Sequence, residues 1–224
     1  AWSLAGEDAP NLLVPGIEIT TLERVHLLVY FRRPEALQEF FLKSIAPHRP
    51  RGATATTPIP VRVEDLLQDL HGQECFTAAA HPFAIAKNGW MTVRSRFDYI
   101  LDRIEELDGV EVLNGQELDG TNDRAAAWAR PRSMGMVAGS DGHTLGEMGR
   151  VVMALPREDD LFGMLRDGAG VLVDQRPPGT WRRVLTQAAK APYYLKKPGR
   201  FVYRASTGDA GDGPQTAGFT IDSW

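Results

Sequence analysis

Met136-Val137-Ala138-Gly139-Ser140-Asp141-Gly142-His143 carries a short apolar run into small residues, then a carboxylate and an imidazole two positions apart. The run reads as a buried strand, and the small residues mark its C-terminal end. On the two-residue period of a strand, Asp141 and His143 point the same way. In α/β proteins the C-terminal mouth of the strands is where chemistry is placed, because loops there can vary over a rigid sheet. The stretch therefore predicts an α/β fold with a metal-type site at one mouth.

The rest of the chain follows the same rhythm. Short apolar runs predict strands over residues 16–20, 26–31, 77–80, 109–113, 135–138, 151–155 and 171–173. Helical patterns fall between them at 34–45, 63–70, 97–107, 123–129 and 159–167. This alternation predicts βα units and a mostly parallel sheet. In the third helix Phe97, Ile100, Leu101, Ile104 and Leu107 recur at offsets of three and four, a stripe that belongs to the core. Residues 49–60, broken by Pro and Gly, read as a surface loop, and a last helix is expected over 181–195. The organisation predicted is one barrel-like domain over residues 1–195 and a C-terminal extension over 196–224. From about residue 206 that extension is rich in Gly, Asp, Ser and Thr and is expected to be disordered.

Composition narrows the function classes. At 224 residues with 43% hydrophobic content, the chain is long enough for one large core and short for two. A net charge of -4 gives no basic footprint, so general nucleic-acid binding is not expected. The single cysteine, Cys75, excludes an internal disulfide and reads as a small buried thiol. No apolar run approaches a membrane span, and the start Ala1-Trp2-Ser3-Leu4 has no signal-peptide pattern. A cytoplasmic protein is expected; the oligomeric state is left open.

Ligand-type residues recur at other strand ends. Glu18 lies in the β-branched run Gly16-Ile17-Glu18-Ile19-Thr20, where a carboxylate is costly unless paired, hydrogen-bonded, metal-bound or turned to solvent. His26 opens Val25-His26-Leu27-Leu28-Val29-Tyr30, and His81 ends Ala78-Ala79-Ala80-His81-Pro82-Phe83, because Pro82 cannot continue a central strand. Any one of these alone is more often structural or solvated. Together Glu18, His26, His81, Asp141 and His143 form a mixture of imidazole and carboxylate that suits zinc, manganese or iron. His48 and His71 are read as loop and helix-end residues without a role in the site.

In this order, Gly16–Thr20 with His26-Leu27-Leu28, Ala80-His81-Pro82-Phe83, Asp108-Gly109-Val110-Glu111-Val112-Leu113-Asn114 and Gly139-Ser140-Asp141-Gly142-His143-Thr144 resemble the later motifs of the PHP family, the polymerase and histidinol phosphatase domain. The resemblance implies a distorted, TIM-barrel-like (β/α)7 barrel whose strand ends hold up to three divalent metals, with phosphoester hydrolysis as the usual activity. It also implies that Glu18 is a bridging carboxylate, that His26 and His81 are further ligands, and that Asp141 and His143 close the site. The family's opening His-x-His and Asp-His strands have no counterpart here, since only 15 residues precede Gly16 and none is His. The expectation is an incomplete barrel from a longer protein, with weakened metal binding and turnover.

For function, the resemblance implies a metal-dependent phosphoesterase acting on a small phosphorylated metabolite or nucleotide. Asp141 and His143 are the expected catalytic pair, and Lys87 and Arg150 are candidate phosphate clamps. Asn114 is read as either an orienting residue or a turn residue, and Asn122 chiefly as a helix cap. Two alternatives stand beside this reading: a PHP-like module kept for binding or regulation without turnover, and a metal hydrolase of C–N bonds.

Overall fold

The computed structural model describes residues 14–54, 57–84, 89–156 and 160–176. Its centre is a five-stranded sheet in the order β1-β2-β3-β4-β5, built from β1 (Gly16–Thr20), β2 (His26–Phe31), β3 (Cys75–Ala79), β4 (Gly109–Asn114) and β5 (Gly135–Gly139). A separate ribbon pairs β6 (Val151–Ala154) with β7 (Val171–Asp174). Six α-helices are described: α1 (Pro34–Phe40), α2 (Val63–Leu70), α3 (Trp90–Val93), α4 (Ile100–Glu105), α5 (Asp119–Ala129) and α6 (Leu161–Arg166).

The strand directions correct the expectation of a mostly parallel sheet. β2 is antiparallel to both β1 and β3, and β6 is antiparallel to β7; only β3 with β4 and β4 with β5 run parallel. The β1–β2 connection is too short to reverse the chain twice, so its strands must form a hairpin. Its turn is closed by Thr21 N–H to the Val25 carbonyl at 3.0 Å, with Arg24 at φ +68°. The parallel pairs have the longer helical crossovers that such pairing requires. The fold is thus mixed α/β, and among the described residues the sheet stays open, with β1 and β5 at its edges.

Register decides what each face buries. Ile19, Leu27, Val29, Phe31 and Ala79 share one face and pack against Phe40, Val63, Leu66, Ile100 and Ile104 from the helices. Leu28, Tyr30, Phe76, Ala78 and Val137 form a second layer with Phe162 of α6 and Met153 of β6. Val110 and Val112 pack against Ala125 and Ala129 of α5. Because both faces are covered, β3 is buried at every position, which explains its unbroken small and apolar sequence.

Element positions follow the sequence pattern closely, with local exceptions. The helix expected over 34–45 is α-helical only to Phe40, then widens to a π turn over Phe41–Ile45 and tightens to a 3-10 turn at Ala46–His48. Pro47 has no N–H to continue the ladder, so the last turns take other spacings. The helix expected to start at residue 123 begins at Asp119, and the one expected over 97–107 is α-helical over Ile100–Glu105. The predicted helix over 181–195 and the extension over 196–224 lie outside the described residues.

One long-range contact fixes α2. The Arg62 side chain gives no cap, and instead the buried Glu23 carboxylate accepts the Val63 N–H, at 3.3 and 3.2 Å to its two oxygens, and the Tyr99 hydroxyl at 2.7 Å. Replacing Glu23 by Ala leaves both donors without their acceptor inside the core. The expected loss is roughly 2–3 kcal/mol, read by urea denaturation. Glu105→Ala, which removes an exposed ion pair with Arg132, should cost well under about 1 kcal/mol.

Candidate metal centre

Glu18 and Thr20 lie on the same face of β1, and Thr20 pairs with His26 across the hairpin. His26 opens β2, but the reversed direction of that strand sets its start beside the C-terminal ends of β1 and β3. The backbone confirms the alignment, since Ala80 N–H donates to the His26 carbonyl at 3.1 Å. The Trp90 indole N–H donates to the same carbonyl at 2.9 Å. His81 follows two residues after β3, at φ +26°, a left-handed backbone that turns it off the strand direction.

Glu18, His26 and His81 converge. Each offers a ligand atom, and these atoms lie within 4.8 Å of one another. Glu18 Oε1 is 2.5 Å from His26 Nδ1 and 3.7 Å from His81 Nε2, and the two rings meet edge to face at 4.9 Å. Their exposure is graded, with Glu18 exposed, His26 half-buried and His81 buried. Partial desolvation pushes the Glu18 carboxyl upward, but hydrogen bonds and charge from His26 and His81 outweigh it and hold the group well below the usual carboxylate range. A carboxylate kept ionised between two imidazoles is a donor set that a divalent cation can use.

Asp141 and His143 form a second group. Both lie beyond the end of β5 at Gly139, so strand alternation does not orient them as the sequence suggested. Their geometry comes from a turn with Asp141 at φ +44°. His143 Nδ1 lies 2.8 Å from the Asp141 carbonyl oxygen, which can only accept, so the proton is on Nδ1 and the lone pair of a neutral ring is on Nε2. The buried Glu147 carboxylate holds this loop by accepting His143 N–H at 3.0 Å and Thr144 N–H at 3.1 Å. Ser140 fastens its base, donating to the Val151 carbonyl at 2.9 Å and accepting Val151 N–H at 3.2 Å.

Two buried residues join the groups. The Glu111 carboxylate accepts His81 N–H at 2.8 Å. The Asn114 side-chain amide donates to Glu111 Oε2 at 2.9 Å and to Asp141 Oδ2 at 3.3 Å. Asn114 is itself gripped by Asn122, whose Oδ1 accepts Asn114 N–H at 3.1 Å and whose Nδ2 donates to the Asn114 carbonyl at 3.2 Å. Asn122 is therefore a clamp within α5 and not its cap, a correction to the sequence reading; Leu118 occupies the N-cap position. Asn114 takes the orienting role.

Glu111 was missed as a site residue, although it stands within a quoted motif. Its signal was the one used for Glu18: a carboxylate inside an apolar strand. Burial pushes its carboxyl up to about 7, against the Asn114 hydrogen bond and His81, and the Asp141 charge adds to the rise. Room for it exists because residue 139 is glycine, where a Cβ would come within 2.8 Å of Glu111 Oε1.

Of the two candidate clamps, Lys87 lies outside the described residues. Arg150 ends the loop that follows His143, half-buried, with its guanidinium beside Gly146 and no ion pair to another described residue. Cys75 is buried, and burial pushes its thiol up to about 11, which fits the inert role expected of it.

The loop bearing Asp141 and His143 lies within the stretch that matches a known family model. Residues 119–169 match the family model described as PHP-associated. The PHP resemblance is shown over that stretch, which runs from α5 through the Asp-x-His loop to the end of α6. The fold is similar to that of PsfC from Pseudomonas syringae PB-5123, with a TM-score of 0.50 and 17% identity. That match covers 80% of this chain and 66% of PsfC, so the chain spans just under two thirds of that protein. A looser likeness, with a TM-score of 0.44 and 17% identity, links 64% of this chain to 72% of a candidate metal-dependent phosphoesterase from Bifidobacterium adolescentis. A search among curated proteins finds no match. No helix among the described residues is long and apolar enough to cross a membrane.

The raised Glu111 carboxyl yields a pH test in metal-free protein. Because its folded value lies above the unfolded value near 4.5, its contribution to stability is full below 4.5 and is lost as pH rises through 7. Glu111→Gln removes that titration. In EDTA, the stability of Glu111→Gln relative to the wild type should therefore rise between pH 5 and pH 8, measured by urea unfolding at both values. A constant difference would mean that Glu111 does not titrate in this window.

Proposed function

We propose that this chain is part of a PHP-type, metal-dependent phosphoesterase acting on a small phosphorylated metabolite or nucleotide, on an incomplete form of the distorted (β/α)7 barrel. The observation that carries the reading is the convergence of Glu18, His26 and His81 at the sheet mouth, with their ligand atoms within 4.8 Å. Two imidazoles and one ionised carboxylate fit manganese, iron or zinc, and Asp141 and His143 would add ligands from the neighbouring loop. When bound, such ions supply a water nucleophile at neutral pH and positive charge for phosphate oxygens.

The chain's own residues divide the remaining work. His143, with its proton held on Nδ1 by the Asp141 carbonyl, would present Nε2 to an ion or to a proton in transit. Arg150 would take the phosphate by bidentate hydrogen bonding, a task suited to a guanidinium with no ion pair to another described residue. Lys87 would be a second cation for the same group. A cytoplasmic setting agrees with a chain whose single cysteine is buried and free.

A binding module without turnover is the second reading. It is favoured by the size of the cluster, which among the described residues gathers three ligand side chains, few for a multi-metal centre.

The test is hydrolysis of an aryl phosphate and a panel of nucleoside monophosphates with manganese, iron or zinc, alongside measured metal content. His143→Ala should lose activity by roughly 100-fold or more, with thermal unfolding little changed. Thr144→Ala keeps the backbone N–H that Glu147 accepts and should stay near wild type. Metal bound at full occupancy with no turnover of any phosphoester would favour the module. Full activity in His143→Ala would defeat the enzyme reading at this site.

A further inference from the structure

We infer that Glu111 and Asn114 form a buried tether that holds the two halves of the site in register, acting as positioning residues and not as metal ligands. The inference rests on the proposed metal centre and deepens it, because neither residue belongs to the set assigned to the ion.

The geometry is that of a bridge. One end is the His81 N–H, donated to Glu111 Oε2 at 2.8 Å, and the other is Asp141 Oδ2, which accepts from Asn114 at 3.3 Å. Asn114 spans the gap with one NH2 group, whose two hydrogens serve the two carboxylates. Neither Asp nor a hydroxyl would serve here: Asp at 114 would set three carboxylates together, and a hydroxyl has a single hydrogen to give. The amide oxygen is used too, accepting Gln116 N–H at 2.8 Å. Both bridging side chains are buried, at 5% and 1% exposure, so water cannot replace their bonds at little cost.

Both ends of the bridge are attached to unusual backbone. His81 has φ +26° and Asp141 has φ +44°, conformations that non-glycine residues adopt rarely and hold only when their surroundings fix them. Glu111 grips the first directly, through its amide. Asn114 grips the second through the side chain. The tether is also built from below, since Asn122 clamps both backbone polar groups of Asn114, and Gly115 N–H donates to the Gly139 carbonyl at 2.8 Å. A Cβ at Gly115 would fall 2.4 Å from the Ser140 carbonyl oxygen, so the residues just past β4 and β5 approach as closely as a glycine allows.

The experiment compares wild type with Glu111→Ala, Glu111→Gln and Asn114→Ala. Asp108→Asn, which weakens a carboxylate contact to Thr77 at the opposite end of β4 from Asn114, serves as the stability control. Manganese and zinc affinity are measured by calorimetry, and hydrogen exchange of the His81 amide is measured by NMR in metal-free protein. Positioning predicts unchanged stoichiometry with affinity lowered roughly 10- to 100-fold in Asn114→Ala and Glu111→Ala. It also predicts partial rescue in Glu111→Gln, whose amide oxygen can still accept the His81 N–H, and loss of His81 protection in Glu111→Ala beyond that in Asp108→Asn. Wild-type affinity in both alanine variants overturns the inference and leaves the metal centre standing, and equal losses in Asp108→Asn also overturn it. If the wild type binds neither metal, the metal centre fails, and the exchange data alone decide the tether: retained His81 protection in Glu111→Ala refutes it, and specific loss upholds it.

Discussion

Because β2 runs against both of its neighbours, its first residue lies beside the last residues of β1 and β3. That reversal puts the His26 imidazole within reach of Glu18 and His81, residues separated by 63 positions in sequence. In an all-parallel arrangement the start of β2 would sit at the far end of the sheet. Backbone pairing therefore assembles the cluster, with Thr20 opposite His26 and Ala80 bonded to the His26 carbonyl. The hairpin that imposes the reversal is anchored in the core, since Thr21, Glu23 and Val25 are all buried. Glu23 in turn caps α2, so the turn that directs the site also fixes a helix behind the sheet.

Past the sheet, the site departs from regular structure at the positions that carry ligand-type side chains. His81 and Asp141 both take left-handed backbone, each at a cost of order 1 kcal/mol or more. Buried hydrogen bonds offset that cost: Glu111 on the His81 amide, and Asn114 on the Asp141 carboxylate. A buried carboxylate is itself unfavourable, which is why Glu111 holds its proton to a higher pH than an exposed acid. The arrangement concentrates strain and burial around a few side chains while the sheet below keeps ordinary register. That pattern is typical of sites where geometry is imposed on a ligand.

The loop from Ser140 to Arg150 follows the same logic on a smaller scale. Its polar backbone groups are met from within, by Ser140 at one end and by Glu147 across the middle. Leu145 and Met148 remain exposed on its outside. The loop lies within the stretch that matches the PHP-associated family model, so the matched segment is also the one that carries Asp141 and His143.

Most element positions were legible in the sequence, because apolar spacing reports which positions must be buried whatever lies opposite. The stripe Ile100, Ile104 and Leu107 and the unbroken run of β3 are buried as their patterns required. The ligand-type residues were legible too, since a carboxylate or imidazole at the edge of an apolar run is conspicuous by type alone. Strand direction was not: a half-buried run looks the same read either way, and only the partner strands settle its pairing. Nor were the roles of Glu111 and Asn122, or the choice between the two readings of Asn114, which depend on hydrogen bonds between β4, α5 and the loops after β3 and β5. Sequence by itself determined where the strands and helices fall and which side chains could bind a cation. Tertiary structure alone decided which of them meet, because their meeting depends on reversed pairing and left-handed backbone that no local pattern encodes.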